Sequence, residues 1–347
     1  MPITLQFKGL KKLPPSSKFK QKPIPWMYSR VGSMLATAFI KLNPIHRRLT
    51  ELEIKNIQDY FNSDLISPEN RRRLSRMAAF FMTYFHAIQR LTGISKLARQ
   101  DYYALQRQGC FAVRELPPIT IYPKSPYLPV LIVPGLNTPP AFFREMYSYF
   151  FSRGYNVSVM ELPENGFANI EASALALKQE VENLMERCNA PKVNIIGHCL
   201  GGLVAHYWFE NLDAQKPQAS IQNLISLGTG FLGAEGVRQL KNLWIPRNPG
   251  KPVPAVFDEL IQANWKAVRR STEVACHNIL TIWDFMVHFR KGLLQSPKEH
   301  PQMVVNHIIE DPAIDHLTIA LHHGVFARIE SILRASTQQP QATSGIL

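Results

Sequence analysis

Cysteine is scarce in this chain of 347 residues: there are four, Cys110, Cys188, Cys199 and Cys276, widely and irregularly spaced. No pair forms CxxC, so the set matches neither a zinc pattern nor a disulfide framework, and reduced thiols in a cytoplasmic setting fit it. HExxH and comparable ligand spacings are also missing, so no metal and no cofactor is expected. Long hydrophobic runs are absent. The apolar stretches 31–40 and 78–88 fall short of the roughly 20 residues that cross a bilayer, and they read as buried helix faces. The basic, Pro-rich start (Lys8, Lys11, Lys12, Lys18; Pro14, Pro15) leads into no apolar segment and no small-residue cleavage site, which argues against a standard secretory signal. There is no internal repeat.

Acidic residues are what the first third lacks. Residues 1–125 hold 21 Lys and Arg against 7 Asp and Glu, whereas the remainder holds 18 against 19. Two differently constituted regions therefore share the chain. In the basic one, Arg71, Arg72, Arg73 and Arg76 adjoin the apolar run 77–88, a pattern suited to an anionic membrane or lipid-particle surface. An ordinary solvated helix face is the alternative. Nucleic acid is not expected as a partner, because no motif accompanies the charge and Phe80, Phe81, Tyr84 and Phe85 sit at helix-core spacing.

What is present is enough apolar residue, 46% of the chain, to bury one large α/β domain with an appendage. Residues 1–25 read as a basic Pro-rich tail and 26–115 as a basic helical region, with Ser67-Pro68-Glu69 as a helix start. At Leu116-Pro117-Pro118 the character changes. From there to 335, short apolar runs (129–133, 156–162, 193–196, 221–227, 278–283 and 302–309) alternate with helical segments (139–151, 170–188 and 201–211). That alternation predicts a parallel sheet with crossover helices. A long interruption at about 230–276, with Pro246, Pro249, Pro252, Pro254, Trp244 and Trp265, reads as a cap. Residues 336–347 read as a disordered tail.

The chemistry concentrates at 193–204, Val-Asn-Ile-Ile-Gly-His-Cys-Leu-Gly-Gly-Leu-Val. An apolar strand runs into Gly197-His198-Cys199-Leu200-Gly201 and then a helix, a turn so tight that side chains at the flanking glycines would clash. Cys199, at its centre, is the candidate nucleophile; the alternative is a small buried cysteine on a glycine-rich turn. Acyl transfer also needs a base, an acid to hold it and donors for an oxyanion. Asp284 ends the strand 278–283 and is the candidate acid, or else a helix cap. His316, after the last strand, is the candidate base. His307, His322 and His323 compete with it, but the first falls within a strand and the others inside the helix expected after His316. The N–H groups of Leu200 and of Leu136, in the turn Pro134-Gly135-Leu136-Asn137, are the candidate oxyanion donors. His198 reads as a structural neighbour rather than the base.

With these residues placed, the region from about Leu128 to Leu333 resembles the α/β-hydrolase superfamily, and within it the bacterial lipases and esterases. The elbow Gly-His-Cys-Leu-Gly-Gly-Leu-Val-Ala-His-Tyr, the segment Ser226-Leu227-Gly228-Thr229-Gly230-Phe231-Leu232-Gly233, Asp284-x-x-Val287 and His316-Leu317 carry the likeness. It implies an α/β-hydrolase fold, a mainly parallel sheet flanked by helices, with the N-terminal helical region and the cap insertion added to it. The cysteine is similar to the G-x-C-x-G-G of polyhydroxyalkanoate synthases and dienelactone hydrolases. A thiolate exchanges readily with thioesters, so it points toward acyl transfer or thioester chemistry. The expectation is a cysteine-dependent acyl hydrolase acting on acyl esters or thioesters. An acyltransferase of polyhydroxyalkanoate-synthase type and a non-catalytic lipid-binding protein are the alternatives.

Overall fold

A computed structural model of the chain describes residues 52, 55–56, 59–60, 63, 121–212, 220–265, 274–296, 303–311 and 314–338. The tail 1–25, the basic cluster Arg71 to Arg76 and the apolar run 77–88 lie outside the described residues. Six parallel strands form one sheet: β1 (Val130–Val133), β2 (Val157–Val159), β3 (Val193–His198), β4 (Ile221–Leu227), β5 (Ala275–Thr281) and β6 (Val304–Ile309). They lie in the order β2-β1-β3-β4-β5-β6. The expected alternation of strand and helix is therefore the one observed. Parallel strands covered on both faces need apolar residues on both, and β1 shows this, with Val-Leu-Ile-Val wholly buried.

Alternate side chains point to opposite faces, which splits the core in two. Leu131 and Val133 join one cluster, packed under helices α2 (Ile170–Cys188) and α3 (Leu200–Asn211). Val130 and Ile132 join the other, under α1 (Arg144–Phe151) and α7 (His323–Gln338). α2 illustrates why these segments are helices. Its buried residues Ile170, Ala174, Leu177, Val181 and Leu184 recur every three or four positions. Asn169 caps its start by accepting the Ala172 N–H at 2.7 Å, and Asn189, left-handed at φ 46°, ends it.

The interruption between β4 and β5 is not a plain loop. It holds α4 (Glu235–Arg247) and α5 (Val256–Gln262), and Glu259 of α5 accepts the Ile170 N–H in the first turn of α2 at 2.9 Å. Phe167 packs against Trp244 and Phe257 at ring distances of 4.7 and 6.0 Å. The short helix α6 (Phe289–Gly292) follows β5.

Several boundaries differ from the sequence reading, β2 for one ending at Val159 rather than 162, and three of the differences concern β5 and α7. β5 spans Ala275–Thr281 rather than 278–283, because at its end Trp283 N–H donates to Thr281 Oγ1 and Thr281 Oγ1 donates to the Ile314 carbonyl, turning the chain away. Asp284 thus stands three residues past the strand. α7 begins at His323, not directly after His316; His322 precedes it, and its Nδ1 accepts the Gly324 N–H at 3.1 Å. α7 also runs to Gln338, into the segment read as a disordered tail, and Ser336 there accepts a hydrogen bond from Asn223 on β4.

Candidate active site

The carboxyl ends of β3, β4, β5 and β6 open on one edge of the sheet, where open parallel sheets place their sites. Cys199 leaves β3 with φ 51° and ψ −115°, a region that residues with a side chain rarely occupy. Such a backbone persists only if its surroundings hold it. Its N–H donates to the Leu227 carbonyl at 2.9 Å, and its carbonyl accepts from Thr229 Oγ1 at 3.0 Å, so β4 and the turn after it pin the elbow from both sides. The turn also needs its glycine at 201. A Cβ there would strike the carbonyl oxygen of Val133.

His316 and Asp284 come from the segments after β6 and β5, 32 residues apart in sequence, and meet through Nδ1 and Oδ2 at 2.8 Å. Both are buried, at 4% and 2% exposure. The other carboxylate oxygen, Oδ1, accepts the N–H groups of Met286 and Val287 at 2.7 and 2.8 Å. One carboxylate oxygen thus holds the His316 ring and the other holds the turn 284–287, and the helix that follows starts only at Phe289, with His288 as its cap. Burial opposes the charged form of His316, but the Asp284 carboxylate and the Cys199 sulfur, both in hydrogen-bonding range of the ring, outweigh it and raise its pKa well above the usual 6.5.

The oxyanion candidates flank the sulfur. Leu200 opens α3, and the first N–H groups of a helix have no intrahelical partner, leaving them to a negative charge. The 134–138 turn is held by Asn137, left-handed at φ 50°, whose N–H donates to the Asn165 carbonyl at 2.8 Å. Among the described residues the Leu136 N–H makes no hydrogen bond. A Cβ at Gly135 would come within 3.1 Å of the Cys199 Cβ, which shows how closely this turn approaches the elbow.

The competing histidines are elsewhere. His307, on β6, stacks on His277 with Nε2 and Nδ1 3.2 Å apart. His323 is at α7's surface, 3.9 Å from Glu145. His198 Nε2 donates to the His316 carbonyl at 2.8 Å, anchoring the backbone of that residue. Burial drives its pKa down to about 3, so it is neutral and fixed in that role. No group of three or more metal-ligating side chains occurs among the described residues.

Two residues at the site have roles that the sequence did not announce. Gly228, at φ 57°, lies against the Asp284–His316 pair: a Cβ there would stand 3.3 Å from both Asp284 Oδ2 and His316 Nδ1. The other is Asn56, far upstream, whose side chain reaches the Asp284 turn. The sequence flagged Gly228 only as part of the Ser226 to Gly233 segment. A lone asparagine in a helical pattern carries no signal of its own.

A strained elbow between strand and helix, with a carboxylate and an imidazole delivered from beyond later strands of the same parallel sheet, defines the class of the fold. The sequence matches the alpha/beta hydrolase fold family over residues 129–304, and the chain belongs to that family. No curated protein matches it in sequence. Among solved structures it is similar to the mature lipase BlEst2 of Bacillus licheniformis (13% identity, 62% of this chain and 95% of that chain, TM-score 0.47). It is also similar to lipase B of Aspergillus fumigatus (15% identity, 63% and 55%, TM-score 0.49). A lipase-esterase related protein of Clostridium acetobutylicum gives 14% identity, 61% and 96% coverage, and a TM-score of 0.42.

Proposed function

We propose that the protein is a cysteine-dependent acyl hydrolase acting on carboxylic esters or acyl thioesters, with Cys199 as nucleophile, His316 as base and Asp284 as its orienting acid. The observation that carries this reading is the buried His316–Asp284 hydrogen bond of 2.8 Å, its ring in range of the thiol on a strained elbow. Asp284 Oδ2 keeps one proton on Nδ1, and the raised pKa of His316 favours transfer of the Cys199 proton to Nε2 before sulfur attacks the acyl carbonyl. The tetrahedral oxyanion faces the N–H groups of Leu200 and Leu136, which are worth most in a water-poor site. Its collapse breaks the bond to the alcohol or thiol, which leaves with the proton from His316. Water then attacks the thioester, giving its proton to His316, and the acid departs as sulfur regains the proton. Trp244 of the cap and Phe167 before α2, packed over the buried Phe257, supply apolar surface for an acyl chain.

A second reading, transfer to an alcohol acceptor, is favoured by the same cysteine, because a thioester intermediate passes readily to another nucleophile. Incubation with short-chain p-nitrophenyl esters and with acyl-coenzyme A, measuring free acid against released alcohol or thiol, separates the two. Equal amounts support hydrolysis; thiol without free acid supports transfer. Activity that survives Cys199→Ala contradicts both. The basic N-terminal region would dock on an anionic lipid surface, and cosedimentation with anionic vesicles that persists after removal of residues 1–110 counts against that.

A further inference from the structure

We propose that Asn56 is a positioning residue for the acid of this site, holding the turn from which Asp284 grips His316; the proposal rests on the Cys199–His316–Asp284 reading. Asn56 lies in the acid-poor N-terminal region, 73 residues before the family match begins at 129, and it is completely buried. Its Nδ2 donates to the carbonyls of Asp284 and Val287 at 3.2 and 3.3 Å, and its Oδ1 accepts the Phe289 N–H at 2.8 Å. All three bonds fall on one short stretch, 284–289. An amide side chain offers two donors and two acceptor lone pairs, so three of its four positions are spent on the backbone around the acid.

The same face of the helical residues carries two more struts. Asp59 Oδ2 meets His288 Nε2 at 2.9 Å, and Tyr60 sets its ring edge-on to Phe289 at 5.4 Å while its hydroxyl bonds Glu310. Positions 56, 59 and 60 follow the i, i+3, i+4 spacing of neighbours on a helix. From within, the turn is tied by Asp284 Oδ1 to Met286 and Val287 N–H. From outside it is tied by Asn56. With Oδ1 and the backbone carbonyl both occupied, Oδ2 is the atom left for His316, and its aim depends on where the turn sits.

The chemistry at this position favours a neutral amide. A cation reaching the same carbonyls would lie beside Asp284 and compete with His316 for the carboxylate; a carboxylate could not donate to the carbonyls at all. Asn223 offers a contrast, a buried amide that holds only the fold. Equally buried, it bonds Asn194 at 2.7 Å and Ser336 at 2.8 Å, and it touches no residue of the site.

That contrast supplies the test. Asn56→Leu and Asn56→Ala remove the amide without adding charge, and Asn223→Leu is the matched control, all in the full-length chain. The readouts are kcat and KM on p-nitrophenyl butyrate, the rate of Cys199 alkylation by iodoacetamide, and the thermal midpoint. Misplacing a catalytic group by about 1 Å costs on the order of 10²-fold. The expected result is therefore a fall in kcat of at least about tenfold for both Asn56 variants, with KM within about twofold and alkylation slowed in parallel. Asn223→Leu should lower the midpoint by as much while leaving kcat at the wild-type value. Folded Asn56 variants with wild-type kcat, or an equal loss in Asn223→Leu, would overturn the proposal. Should neither Asn56 variant fold, Asp59→Asn, at a half-exposed position of the same face, carries the test: a lower kcat at constant KM supports the proposal and an unchanged kcat refutes it. If wild-type protein neither turns over the ester nor alkylates at Cys199, the site reading itself fails. If wild type reacts and the Asn56 variants match it, only the positioning role does.

Discussion

Two buried polar arrays thread the same sheet, and they differ in what they are made of. Near the starts of β3 and β4, Asn223 bonds Asn194 and Ser336, and midway along β5 Asn278 bonds Asn306 of β6. These are neutral groups in ordinary backbone conformations, bonded through their amide N–H groups, while the Oδ1 atoms of Asn223 and Asn278 have no hydrogen-bond partner among the described residues. At the carboxyl edge the array is Cys199, His316 and Asp284, ionisable groups brought together on a backbone strained at Cys199 and, through Gly228, left-handed beside them. The first array stabilises the fold, while the second makes demands on it and is held by outside ties: Leu227 and Thr229 on the elbow, His198 on the His316 carbonyl, Asn56 on the acid turn. Burial alone therefore does not distinguish structure from chemistry here. Titratability and strain do.

The largest expected effects separate the arrays by activity. His316→Ala and Asp284→Asn should each lower kcat by about 10²–10⁴-fold, the range for a lost general base or its orienting acid, and His316→Ala should slow Cys199 alkylation in proportion. Steady-state kinetics with folded protein, verified by circular dichroism, checks both. Next comes Asn223→Leu, expected to destabilise by about 1–3 kcal/mol through the partners left unsatisfied, measured by urea unfolding.

A smaller effect concerns pH. Burial depresses the pKa of His206, on α3, to about 3, as it does that of His198. Both stay neutral in the native state while the unfolded chain binds protons below about 6.5. Stability should thus be unaffected by these groups above pH 6.5 and decline progressively as the pH falls from there toward about 3. His206→Leu should flatten that decline, as read from urea midpoints across the range. The smallest expected change is a gain: Cys199→Gly relieves the φ 51° backbone and should stabilise the fold by about 1 kcal/mol while abolishing turnover.

Much of this was legible in the sequence, for definite reasons. Strands such as 221–227 and helices such as 170–188 carry dense local signals, so their bounds and the parallel alternation could be read directly. Cys199, Leu200 and Leu136 sit in short glycine-bearing turns with a local pattern, and the structure brings Asp284 and His316 together as the order of motifs implied. The end of β5 was misplaced because Ile282 and Trp283 are apolar enough to prolong a strand. Thr281 ends it through a bond to Ile314, 33 residues later. Asn56 and the role of Gly228 were hidden for the same reason: their significance lies in partners distant in sequence, and an isolated Asn or Gly gives no periodic signal.

The central claim is that Cys199 carries the acyl group, and intact mass measurement after brief exposure to an activated acyl ester or thioester tests it most directly. The expected result is one acyl increment on the wild-type chain, mapping to the 193–204 segment, lost in Cys199→Ala and decaying as free acid appears. No increment, or one that persists in Cys199→Ala, would contradict the account.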